Sequence, residues 1–294
     1  MSTALQQGWE RQLRPGLRPD LLSAITRKEG SNAAVLACVR KHGIAVLPGH
    51  CSDNDIDRLK AACVERVDIP EDRNFPDGSY KRHASYRGTA AQSNERIYHI
   101  DCFSEIGAAI RHDSFLKDVA SAYYGEPHSA HLCLYERHRF DDVPVRSFHI
   151  DTFEISTFKV AFYLCDVELK DGPFCYIPGT HKNAALREKK LNIWGAAAAP
   201  GDPAGQPHPT NFTADELGSL LDEATPIVSA RGTAVLFDTW GVHCGLPPMS
   251  GRERHIVFNY YRKGANLPRS DFGFDVQADH RRYAVDFRKH MEEK

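Results

Sequence analysis

No run of 18 consecutive apolar residues occurs in the chain, so no segment is long enough to cross a bilayer as a helix. The eight cysteines, at positions 38, 51, 63, 102, 133, 165, 175 and 244, include no C-x-x-C pair. Their scatter argues against a disulfide scaffold and for small buried thiols in a reducing compartment. An excess of charge is missing too: 37 Lys and Arg face 39 Asp and Glu. Nucleic-acid binders carry a basic patch, so a polyanionic partner is not expected. The opening MSTALQQGWERQLRPGLRPD lacks the apolar core of a signal peptide. These absences lead us to expect a cytoplasmic protein whose partner is a small molecule, with no nucleic acid and no membrane. Oligomeric state is not legible.

What the chain does have is core material: 41% of its 294 residues are hydrophobic and 10% are aromatic. No internal repeat or linker divides it, so residues 1–294 read as a single domain. Up to about residue 130 the pattern is helical. Apolar residues recur at helical spacing over 20–41, with a break near Gly30-Ser31, and Ser52-x-x-Asp55 opens a second helix with Ile56, Leu59, Ala62 and Cys63 as its stripe. A further helix is expected from Ser104 to Tyr124. Residues 69–96, rich in Pro, Gly, Ser, Arg and Asn, read as a loop.

From about 131 to 264 the pattern turns to β, with expected strands at 131–138, 146–151, 157–167, 174–178, 226–230, 233–243 and 254–262. With Gly43-Ile-Ala-Val-Leu-Pro-Gly49 the count is eight, the jelly-roll number. The expected class is therefore mainly β with flanking α-helices, around a jelly-roll core. Segment 183–224 interrupts the strands and contains the capping box Thr213-x-x-Glu216, and a last helix is expected over 276–294.

Within this frame, His149-Ile150-Asp151 is followed 92 residues on by His243 and 11 residues later by Arg254. Residues i and i+2 of a strand point to one face, so His149 and Asp151 can offer a nitrogen and an oxygen to one metal ion. A distant histidine as third ligand leaves positions open, the two-histidine, one-carboxylate arrangement of non-haem Fe(II) oxygenases. Arg254 opens a strand and is the candidate anchor for a dicarboxylate co-substrate, with Arg252 its rival on the same parity. The tripeptide occurs twice, however. His99-Ile100-Asp101 precedes a helical pattern, where Asp101 or Ser104 reads as a helix cap. His181, after the turn Pro178-Gly-Thr, is a rival third ligand read as structural or substrate-facing.

As an ordered set, these residues resemble the phytanoyl-CoA dioxygenase family of Fe(II)/2-oxoglutarate-dependent oxygenases. The likeness runs from Gly43 to Tyr261. It is densest at His149-Ile-Asp151, at Asp171-Gly-Pro-Phe-Cys-Tyr-Ile-Pro-Gly-Thr-His181-Lys, and from Gly232-Thr-Ala-Val-Leu-Phe-Asp to Arg254. The resemblance implies a double-stranded β-helix core wrapped by helices. It gives the iron-ligand roles to His149, Asp151 and His243, and the far carboxylate of 2-oxoglutarate to Arg254. O₂ would be the second co-substrate, and hydroxylation of a C–H bond, with release of succinate and CO₂, the expected reaction. Desaturation, epoxidation or ring rearrangement share that core, while the carboxylate of Asp151 argues against halogenation. One departure stands out: many relatives carry serine two residues after the distal histidine, and here that residue is Gly245. A non-catalytic metal- or ligand-binding jelly roll is the alternative from another class. A zinc hydrolase is disfavoured because no H-E-x-x-H motif is present.

Overall fold

Alternation along the strands sorts the side chains into two faces, and each face has a different partner. The computed structural model describes residues 18–27, 31–83, 94–139, 148–151, 158–197 and 211–264, with backbone alone over 191–197. The helix expected at 276–294 lies outside the described residues. The strands are β1 (Ile44–Leu47), β2 (Arg73–Asn74), β3 (Tyr80–His83), β4 (Asn94–Tyr98), β5 (His128–Arg139), β6 (Phe158–Tyr163), β7 (Phe174–Tyr176), β8 (Thr225–Pro226), β9 (Ala234–Asp238), β10 (His243–Gly245) and β11 (Glu253–Lys263). They form an eight-stranded sheet in the order β1-β9-β6-β11-β5-β4-β3-β2 and a three-stranded sheet in the order β10-β7-β8. Pairing within both sheets is antiparallel.

One face of the large sheet carries Cys133, Tyr135, Val160, Phe162, Leu236 and Val257. These residues pack into a single core with Val35 and Val39 of the helix Asn32–His42, Ile56 and Leu59 of the helix Asp53–Val67, and Leu116 and Val119 of the helix Ser114–Tyr124. Each such side chain, fully buried, contributes roughly 1.5–3 kcal/mol, so the helices are held by the sheet rather than by propensity. The other face looks toward the small sheet. Phe174 of β7 packs against Phe237 of β9 with tilted rings 4.6 Å apart, and the Tyr176 hydroxyl donates to the Asp238 carbonyl at 3.0 Å.

The structure departs from the sequence expectations in several places. The run 233–243 is not one strand: it leaves the large sheet at Asp238, turns through Thr239–Gly241 and enters the small sheet at His243. The Asp238 carboxylate makes the turn by accepting from the Trp240 backbone N–H at 2.8 Å and the Tyr123 hydroxyl at 2.6 Å, and its burial raises its pKa to about 6. Residues 69–96 are not all loop, since β2, β3 and the start of β4 lie there. The helix expected over 104–124 is two, Glu105–Arg111 and Ser114–Tyr124, because Asp113 caps the second through the Leu116 N–H. As expected, Ser52 caps the helix Asp53–Val67, and Thr213 and Glu216 form a reciprocal capping box.

Candidate metal centre

The segment Phe148–Asp151 is anchored by its two apolar residues. Phe148 and Ile150 are buried in a second apolar cluster with Cys175, Ile177, Val242 and Cys244. Alternation then turns His149 and Asp151 to the opposite side. His149 exchanges both backbone hydrogen bonds with His243, each at 2.9 Å, and the Asp151 N–H donates to the Thr239 carbonyl at 3.0 Å. The segment is thus a short continuation of the small sheet beside β10, and it bridges on its other side to Asn211. The two imidazoles lie with ring centroids 4.4 Å apart.

Asp151 Oδ1 lies 3.7 Å from His149 Nε2 and 3.8 Å from His243 Nε2. Donor atoms from all three side chains lie within 4.8 Å of one another, and all three residues are buried. These separations exceed a hydrogen bond but suit three ligands converging on one cation. A carbonyl can only accept, so the 2.8 Å contact of His243 Nδ1 with the Gly241 carbonyl places the ring hydrogen on Nδ1. The lone pair is then on Nε2, the atom turned to the aspartate. Among the described residues this is the one such cluster of three. The donor set fits a divalent transition metal.

Gly241 is what the arrangement requires there: a Cβ would stand 1.7 Å from the Tyr176 hydroxyl oxygen. Gly241→Ala is expected to push Tyr176 from Asp238 and to disturb the carbonyl that orients His243. We expect a loss of roughly 1–3 kcal/mol in stability, read by thermal melting, together with weaker metal binding in an equilibrium titration.

Arg254 is 1% exposed, yet its Nε and Nη1 have no hydrogen-bond partner. Burial lowers its pKa. The acid Glu136, on the same face of β5, is already occupied: Arg96 Nε lies 2.7 Å from its Oε1 and His138 Nε2 lies 2.8 Å from its Oε2. A guanidinium with unused donors inside a protein calls for an anion, and two planar N–H groups suit a carboxylate. Its Nη2 lies against Gly245, where a Cβ would come within 2.8 Å. Gly245 is two residues beyond His243, on the same face of β10 and about 7 Å along the strand. A dicarboxylate of five carbons spans such a gap. Glycine at 245 therefore makes room for the arginine, and Gly245→Ala is expected to displace the guanidinium. The KM for 2-oxoglutarate would rise while metal affinity stays constant, as steady-state kinetics and metal titration would show.

The rivals fall elsewhere. Arg252 Nε is held by Asp171 Oδ1 at 2.6 Å, and its side chain is 45% exposed. His181 Nε2 contacts the Arg40 carbonyl at 3.3 Å, and burial lowers its pKa to about 4, so it is a neutral packing residue. In the second tripeptide, Asp101 is buried against Arg111 Nη1 at 2.6 Å, and His99 stands at φ 57° before a short 3₁₀ turn. Ser104, as expected, caps the helix Glu105–Arg111. The sequence reading missed Lys159, whose Nζ lies 2.5 Å from Asp151 Oδ2. A lysine inside the apolar run Phe158–Tyr163 was the available signal.

The sequence profile of the phytanoyl-CoA dioxygenase family (PhyH) matches residues 39–256. The chain belongs to this family. Family members are oxygenases dependent on non-haem iron and 2-oxoglutarate, and the chain is an enzyme of that class. Among solved structures it resembles the epimerase SnoN in complex with Fe3+, alpha ketoglutarate and nogalamycin RO, with a TM-score of 0.58 and 15% identity over 83% of this chain and 92% of that one. The carbocyclase SnoK from nogalamycin biosynthesis gives a TM-score of 0.57 and 18% identity over 83% and 89%. HygX from Streptomyces hygroscopicus, with nickel and 2-oxoglutarate bound, gives 0.52 and 15% over 79% and 87%. At such identities the likeness concerns the fold, and it makes the two sheets the jelly roll expected of the sequence. No curated protein sequence matches the chain.

Proposed function

We propose that His149, Asp151 and His243 hold Fe(II), that Arg254 binds the far carboxylate of 2-oxoglutarate, and that the enzyme hydroxylates a C–H bond of a small organic molecule. The observation that carries this reading is the pairing of a buried donor triad with a buried arginine whose Nε and Nη1 have no hydrogen-bond partner. Bound metal, 2-oxoglutarate and O₂ supply an oxidant able to remove hydrogen from carbon, with succinate and CO₂ released. The chain's own residues do the rest. The two imidazoles and Asp151 Oδ1 fix the ion against β10, and Gly241 sets the tautomer of His243. Arg254 draws the co-substrate along β10, and the burial of these groups keeps water from the reacting centre.

The structural neighbours support a substrate from secondary metabolism: one was solved with nogalamycin RO and another with hygromycin B. They also favour a second reading, in which the same hydrogen removal ends in inverted stereochemistry or ring closure, since one is an epimerase and another a carbocyclase. We take residues 1–294 as a single catalytic domain, because one core runs from Ile25 to Tyr261. Among the described residues no helix is long and apolar enough to cross a membrane. The cysteines at 38, 51, 63, 133, 165, 175 and 244 form no disulfide, which suits a reducing, cytoplasmic setting. The reading is tested by succinate release from 2-oxoglutarate across a panel of polyketide, aminoglycoside, amino-acid and acyl substrates. Stimulation by one class, with a product gaining one oxygen atom, supports hydroxylation. A product of unchanged mass would select epimerisation, and a loss of two hydrogens ring closure or desaturation.

A further inference from the structure

Along β6 the side chains of Phe158, Val160 and Phe162 enter the core shared with the helices. Alternation sends Lys159 to the other face, where it is cross-strand partner to Tyr260 of β11 and Phe237 of β9. It is 8% exposed, and its ammonium lies 4.2 Å from the centre of the Tyr260 ring, a cation–π contact that fixes the stem. From there Nζ reaches Asp151 Oδ2 at 2.5 Å, while Oδ1 of the same carboxylate faces His149 and His243. The two oxygens of Asp151 thus have different assignments.

We propose that Lys159 is a positioning residue that reserves Asp151 Oδ2, leaves only Oδ1 to a divalent metal, and favours an anionic co-substrate with its own charge. This rests on the triad reading given above. A positive charge at this place opposes a dication and attracts an anion, and in a buried site both effects are large. Lys159 therefore trades metal affinity for co-substrate affinity, and it keeps the carboxylate from closing both oxygens over the ion.

The test is Lys159→Met, which keeps the aliphatic stem and removes the charge. Lys159→Gln is measured alongside, so that a folding failure of one variant leaves the other readable. Mn(II) alone is titrated anaerobically into the metal-free protein, and 2-oxoglutarate is then titrated into the Mn(II) form, both by calorimetry. Outer partners of metal ligands change affinity by roughly 10–100-fold. We expect Mn(II) to bind at least about tenfold tighter and 2-oxoglutarate at least about tenfold weaker, with Lys159→Arg near wild type in both. Opposite shifts are something a merely structural role would not give. Weakening of both ligands together with a lower melting temperature would overturn the proposal, and so would no change in either. Failure of the wild-type protein itself to bind Mn(II) would instead defeat the triad reading.

Discussion

Asp151→Ala is expected to abolish 2-oxoglutarate-dependent succinate release and to remove stoichiometric metal binding. Asp151 is the anionic member of the triad and the one whose oxygen meets both imidazoles, at 3.7 and 3.8 Å. Two neutral histidines alone would hold a dication far less well, because the charge of the ion would be left uncompensated in a buried site. The substitution also removes the carboxylate beside the ammonium of Lys159, whose side chain is 10% exposed. Breaking a buried pair by removing one partner costs about 3–5 kcal/mol, so the melting temperature should fall as well. Asp151→Asn separates the two effects, since it keeps the shape and loses the charge. Metal content by atomic emission and succinate by chromatography are the measurements. Turnover at the wild-type rate in the alanine variant would show that the ligand set is wrong.

Arg254→Leu is expected to raise the KM for 2-oxoglutarate between about 30-fold and a few thousandfold, the range given by 2–5 kcal/mol for truncating one side of a buried charge pair. The same change should leave the co-substrate-free protein as stable as the wild type or more so. In the free enzyme this guanidinium is buried with two donors unused, and burial already pulls its pKa down. Replacing an uncompensated charge with an apolar side chain relieves that cost. Thermal melting with and without 2-oxoglutarate reads both effects: the ligand-induced rise seen in the wild type should vanish, because it scales with the affinity lost. Arg252→Ala is the control. Its side chain is 45% exposed and already pairs with the buried carboxylate of Asp171, so the KM should not move.

The site was legible where its residues obey strand alternation. His149 and Asp151 lie two apart, and the arginine opens a long antiparallel strand, so their placement could be read from spacing alone. The structure brings His149 and Asp151, not His99 and Asp101, beside His243, and for a physical reason: Asp101 precedes helices and pairs with Arg111. Other features were hidden because they depend on partners distant in sequence. The apolar run 233–243 gives no sign of the break at Asp238, which is set by Tyr123 from a helix more than a hundred residues earlier. The strand Tyr80–His83 and the start of Asn94–Tyr98 read as loop because residues 69–96 are rich in Pro, Gly, Ser, Arg and Asn. In the fold Lys81 is fully buried and donates to the Val67 carbonyl at 2.6 Å, and Glu95 pairs with Arg137 at 2.7 Å. Gly245 was visible as a departure from the family, but its meaning, space for the Arg254 guanidinium, appears only in three dimensions.

Across the fold the division of labour is clear. One face of the large sheet is occupied with stability, packing against the helices. The other face, with the small sheet, carries a row of polar side chains, Arg96, Glu136, His138 and Arg254, and Arg254 lies against Gly245 of β10. His138 within that row is held neutral, its pKa lowered to about 4 by burial and by the charge of Arg254. Buried charge of this density is costly unless the site uses it.

The account's central claim is that the triad and Arg254 together bind Fe(II) and 2-oxoglutarate in one site. Anaerobic addition of Fe(II) and then 2-oxoglutarate to the metal-free enzyme tests it directly through the visible absorption spectrum. A charge-transfer band that needs both additions, vanishes in Asp151→Ala and requires far more 2-oxoglutarate in Arg254→Leu is the predicted result. A protein that binds both ligands without such a band, or a band that survives in Asp151→Ala, would contradict it.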